Sequence, residues 1–255
     1  MGTWEPVFLG LLISNSIFVA TTAWLLFSIG YVFTGDRAVS LLAATLYLLN
    51  FSTVNENLAG MVDSAEAFCL MGVTWTLLSN RWWFLLLWGC LGALARETFV
   101  PFSVVFGMSW WLIGVRETRF RFSDVRWIGG MGLMGLSVLL VLWRVLSPGH
   151  PMGLRSFLAV VDSGSNYLQN LFIGMTNRNF WYPFLWLLPL GLLGVRRLPR
   201  RWVVASLATA VTALVLGAIH TSQPISRPVF NILGPMLSLS VALLLASPAE
   251  SAVSA

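Results

Sequence analysis

The sequence predicts an all-α protein, a polytopic bundle of transmembrane helices in a single domain spanning residues 1–255. Three observations lead there. Charged residues make up only 10% of the chain, where soluble domains carry about 25%. Mean hydropathy is +0.81, and apolar runs near bilayer-spanning length, roughly 20 residues, recur from end to end. Every basic residue is an arginine, and most of the arginines fall in short gaps between those runs, where they act as topology signals.

Taken in order, the runs number about nine. The first covers 6–33 and stops at Gly35-Asp36-Arg37; the second, 38–53, ends in the polar cluster around Asn55-Glu56-Asn57. The third, 59–79, carries Asp63 and Glu66 near its start, and the fourth, 82–95, is short for a span. The fifth, 99–115, leads into a basic loop at 116–126, and the sixth, 127–146, opens on Gly129, Gly130, Gly132 and Gly135. Small residues at that density allow membrane helices to approach closely. A long polar stretch follows at 147–182, in which Leu154 to Phe172 has the helical spacing expected of a segment lying on the membrane surface. The last three runs begin near Pro183, at 202 and at 229.

With the N-terminus outside, the cytoplasmic turns hold Arg37, Arg81, the 116–126 cluster and the 196–201 cluster. Arginine then favours the cytoplasmic side, as the positive-inside rule requires. Chemically mixed groups collect on the opposite side, including the 147–182 loop. A bacterial or archaeal plasma membrane is the expected location.

The stretch Leu91 to Pro101 places Arg96 and Glu97 between two apolar runs. Ionisable residues at such depth face a cavity, a partner or the interface. One reading is an anionic-ligand site; the plainer one is a turn whose two charges pair with each other or reach water. Asp63 and Glu66 are three residues apart and share a helix face, with Glu56 seven residues earlier on the same stripe if the helix begins that early. Such carboxylates suit a general base, or oxygen ligands for a divalent cation; the plainer reading is a solvated helix start. Arg96, Arg178 and Arg227 have the guanidinium forks that match phosphate oxygens; the plainer reading is that each pairs with a nearby carboxylate or snorkels to the interface.

Several classes are excluded. The arginines form no nucleic-acid footprint. Cys69 and Cys90 lie singly in apolar runs, and His150 and His220 are isolated, so no metal-ligand spacing appears. No phosphate-binding glycine loop follows a strand, which argues against a cytosolic nucleotide-using enzyme.

The residues from Leu41 to Pro101, with Val62-Asp63-Ser64-Ala65-Glu66-Ala67-Phe68 and Gly92-Ala-Leu-Ala-Arg96-Glu97-Thr98, resemble the middle of GT-C class integral-membrane glycosyltransferases. Ser226-Arg227-Pro228-Val-Phe-Asn231-Ile-Leu-Gly234-Pro235 resembles a late span of that family. The resemblance implies a polyprenyl-phosphate-linked sugar donor, an active site at the extracytoplasmic boundary, and Arg96 with Arg227 near the donor phosphate. Family members begin with a large outer loop bearing a catalytic aspartate, and this sequence shows none before its first acidic turn. The expectation is therefore the C-terminal part of a longer enzyme; in a complete chain Glu56, Asp63 or Glu66 serves as the acid. The competing reading is a non-catalytic transporter or lipid-binding subunit that uses the same polar groups.

Overall fold

A computed structural model describes residues 4–58, 63–117, 122–146, 167–219 and 226–245. Among these residues every regular element is helical. The helices are α1 (Trp4–Thr34), α2 (Arg37–Leu48), α3 (Asp63–Leu78), α4 (Phe84–Ala95), α5 (Phe99–Arg116) and α6 (Val125–Leu146). They continue with α7 (Tyr167–Thr176), α8 (Arg178–Trp181), α9 (Leu187–Gly194), α10 (Arg200–Ile219) and α11 (Ser226–Leu245). A π-helical turn, Thr53–Asn57, lies between α2 and α3.

Five of these helices, α1, α5, α6, α10 and α11, are long and apolar enough to cross a membrane. At 1.5 Å per residue the others are short: α2 and α4 have 12 residues, α3 has 16 and α9 has 8. The chain is thus a multi-pass membrane protein. The shorter helices lie within the bundle formed with the long ones; α3 is buried along nearly its whole length.

Local chemistry sets the helix boundaries. Gly35, at φ +66°, turns the chain after α1, and the Asp36 carboxylate accepts a hydrogen bond from the Ala38 amide at 2.7 Å, capping α2. Asn80 adopts a left-handed φ of 58° at the turn from α3 into α4, a conformation that asparagine tolerates better than most residues. Consecutive helices joined by such turns run antiparallel. The starts of α3, α5 and α11 therefore share one end, called here the acid-bearing end. The start of α10 and the ends of α5 and α11 share the other.

That second end is rich in arginine. Arg201 pairs with Glu117 at 3.6 Å and lies over the Trp110 ring, and Arg197 donates to the Leu243 carbonyl. These contacts tie the start of α10 and the turn before it to the ends of α5 and α11.

Helix α11 is the axis of the bundle, packing against α2, α3, α9 and α10 with most of its length buried. Pro235 lies inside it. Lacking an N–H, Pro235 leaves the Asn231 carbonyl without its helical donor. Close approach depends on glycine at two contacts. A Cβ on Gly89 would sit 2.4 Å from the Met131 carbonyl oxygen across the α4–α6 contact, and one on Gly194 would sit 2.2 Å from the Ser240 carbonyl oxygen. The glycine cluster that opens α6 behaves as expected at Gly130, Gly132 and Gly135, which face Leu86, Val104 and Val100. Gly129 instead faces open space and makes no such contact.

The 147–182 stretch is only partly a loop. Its described part contains α7 and α8, while 147–166 lies outside the described residues, together with His150, Arg155, Asp162 and most of the expected surface helix at Leu154 to Phe172. On α7, Asn170 donates to the Ala218 carbonyl at 3.3 Å, holding that face to the end of α10. Leu168, Phe172 and Ile173 point outward, the orientation that an interfacial helix needs.

Candidate functional site

Burying charge costs several kcal/mol per ion unless it is paired and hydrogen-bonded, and the acid-bearing end meets that condition with a compact cluster. Asp63 and Glu66 open α3 and are buried, at 2% and 0% exposure. Their spacing turns both towards Arg96, the residue that ends α4. Arg96 donates to Asp63 through Nη1, and the same nitrogen lies 3.5 Å from Glu66 Oε2. Arg227 Nη1, from the first turn of α11, lies 3.8 Å from the other Asp63 oxygen.

Neutral donors complete the arrangement. Thr98 donates to Glu66 Oε1 at 2.8 Å. Asn231 Nδ2 donates to both the Asp63 carbonyl and Glu66 Oε2, each at 3.1 Å. Because both partners are acceptors, they fix which end of the Asn231 amide is nitrogen. On the α1 side, the hydroxyl of Ser64 donates to Asn15 Oδ1 at 2.6 Å.

The sequence around Arg96 explains its placement. Helix α4 ends with the Arg96 amide donating to the Gly92 carbonyl at 2.9 Å, and Arg96 itself is extended at φ −162° and ψ 140°. Gly92 provides room for the turn: a Cβ there would lie 2.2 Å from the Phe99 ring. With Phe99 packed against α4, the Arg96–Thr98 segment is pressed against the start of α3.

The cluster is layered. The acid side chains are 4% and 0% exposed, while those of Arg96 and Arg227 are 14% and 23% exposed. The carboxylates are therefore the buried part of the cluster, and the Arg96 and Arg227 side chains are its partly accessible part. Buried polar atoms near this end without a hydrogen-bond partner include Asn15 Nδ2, Ser226 Oγ and Asn231 Oδ1. Each such group costs about 1–3 kcal/mol when left unsatisfied.

The structure thus brings together four of the candidates from the sequence: Asp63, Glu66, Arg96 and Arg227. It does not gather Glu97 or Arg178. Glu97 is exposed, so Arg96 pairs across helices and not with its neighbour. Arg178 opens the short α8 and is exposed. Glu56 lies in the π-helical turn, and the stripe expected from Glu56 to Glu66 runs through 59–62, which lie outside the described residues. The two acids of α3 are not a solvated helix start. Among the described residues no group of three or more His, Cys, Asp or Glu side chains comes together to hold a metal ion. The carboxylate oxygens that would ligate a divalent cation instead meet Arg96, Arg227, Thr98 and Asn231. His220 lies outside the described residues.

Sequence reasoning assigned no role to Thr98, Asn231, Asn15 or Ser64. For Asn231 a signal was present. It is a lone amide in an apolar run, four residues after Arg227 and so on the same helix face. Fold and site together define a multi-pass helical membrane protein with a paired-charge cluster at one end of its bundle. No family model, curated protein or solved structure matches the chain.

Proposed function

We propose that the chain is a glycosyltransferase-like membrane protein of nine crossings. It takes a sugar from a polyprenyl-phosphate donor at the extracytoplasmic face. In this reading the N-terminus is outside, and the arginine-rich end of the bundle faces the cytoplasm of a bacterial or archaeal cell. The observation that supports the proposal is the layering of the cluster, in which the Arg96 and Arg227 side chains are more accessible than either acid.

In the proposed reaction an acceptor oxygen attacks the anomeric carbon, and the bond from that carbon to the phosphate oxygen breaks. The phosphate leaves with the bonding electrons, so its negative charge rises. Guanidinium donors aimed at that growing charge stabilise the transition state more than the ground state. The acceptor's proton passes to a carboxylate, for which Asp63, Glu66 and Glu56 are the candidates.

The pairing also favours a second reading. Two arginines and two acids neutralise one another, an arrangement suited to a transporter or lipid-binding subunit that holds a solute without transforming it. Incubating the protein in vesicles with a short-chain polyprenyl-phosphate hexose separates the two. Release of free polyprenyl phosphate by wild type, lost in Arg96→Gln, supports transfer. Binding without release supports the second reading, and no binding removes both.

A further inference from the structure

A groove of about 490 Å³ runs between α5 and α10 at the arginine-rich end, far from the charge cluster. Its walls are Ser109, Trp111, Leu112, Ile113, Val115 and Arg116 of α5 with Val204 of α10. Apart from Ser109 and Arg116 these are apolar. Both helices are long and apolar enough to cross a membrane. The exposure of Leu112 (54%) and Val204 (38%) is therefore exposure to hydrocarbon.

Arg116 lines the groove, and Arg200 starts the helix that supplies its other wall. Arg116 lies one turn beyond Leu112, and Arg200 lies one turn before Val204, so each arginine stands over the apolar wall of its own helix. Both are exposed. Glu117, the neighbouring acid, is engaged by Arg201, which also lies over Trp110. Among the described residues, neither Arg116 nor Arg200 forms an ion pair. Two unpaired guanidinium groups at the edge of the hydrocarbon, above an apolar trough, match one kind of molecule: an amphiphile with a chain and an anionic head.

We infer that this groove holds an acyl chain of an anionic phospholipid, with the headgroup phosphate between Arg116 and Arg200. The site is independent of the proposed transferase reading. An arginine near a membrane surface favours an anionic lipid by about fivefold, so the two together give a preference near thirtyfold.

The test is native mass spectrometry of the full chain, released from mixed micelles holding equal phosphatidylglycerol and phosphatidylcholine. Wild type is expected to retain one phosphatidylglycerol in strong preference. In Arg116→Gln/Arg200→Gln the preference falls close to parity, while Arg37→Gln/Arg81→Gln, altered at exposed arginines of the same end, keeps it. Equal retention of the two lipids by wild type would overturn the inference. So would an unchanged preference in the first variant, or an equal loss in the second, which would indicate a general basic field. Displacement of phosphatidylglycerol by a short polyprenyl phosphate would assign the groove to a different occupant. All variants carry exposed substitutions, and circular dichroism checks that helix content is retained.

Discussion

Arg96 joins three helices, since it ends α4, precedes α5 and meets both acids of α3. Removing one partner of a buried ion pair leaves an uncompensated charge, which costs about 3–5 kcal/mol. Arg96→Gln is therefore expected to lower stability by roughly that amount in reversible detergent unfolding. Adding Asp63→Asn to it should recover part of the loss; strict additivity of the two changes would mean that they do not interact. Glu97→Gln is expected to stay within about 0.5 kcal/mol of wild type, because the side chain is exposed and outside the cluster. The sequence made Arg96, Asp63 and Glu66 legible, since charge inside an apolar chain stands out. It did not make the partners legible. Side by side in sequence, Arg96 and Glu97 invited a local pair, whereas tertiary packing of Phe99 against Gly92 turns Arg96 towards α3.

At the scale of elements, hydropathy located the helices well and their lengths less well. The run at 38–53 contains a 12-residue helix and then part of a π-helical turn, because Asn50, Ser52 and Thr53 satisfy local hydrogen bonds there in place of a regular helix. Glycine density before residue 136 signalled close packing, yet hydropathy holds no information about which glycine faces a neighbour. The Gly89 position gives the sharper test. Gly89→Ala is expected to force α4 and α6 apart and to cost about 1–3 kcal/mol, as overpacking does. Gly129→Ala, which meets nothing within 4 Å, is expected to be neutral or slightly stabilising through helix propensity. Equal thermal shifts for the two would contradict the α4–α6 contact.

At the scale of the molecule, class was the most legible property: so few charges over so many apolar runs leave only a membrane protein. Which end faces out depends on arginine placement and is open to direct test. With Cys69 and Cys90 replaced by Ala, Ser123→Cys lies near the arginine-rich end and Gln169→Cys lies on α7. A membrane-impermeant maleimide applied to intact cells is expected to label the second and not the first; the reverse pattern would invert the topology. The cluster's partner chemistry was less legible, because it is assembled from α3, the α4–α5 junction and α11, segments up to 168 residues apart.

The central claim is that two arginines stand before buried acids to receive a phosphate, and Arg227 tests it most directly. Its pair with Asp63 is the longer one at 3.8 Å and its side chain is the more exposed, so removing it perturbs folding less than removing Arg96. The measurement is the affinity of a short-chain polyprenyl-phosphate hexose for wild type and for Arg227→Gln, in nanodiscs of neutral lipid. The account predicts a loss of at least about tenfold in affinity, in keeping with a charge-assisted hydrogen bond of about 1.5–3 kcal/mol, with a smaller drop in melting temperature than Arg96→Gln gives. Equal affinity in the two proteins would contradict it.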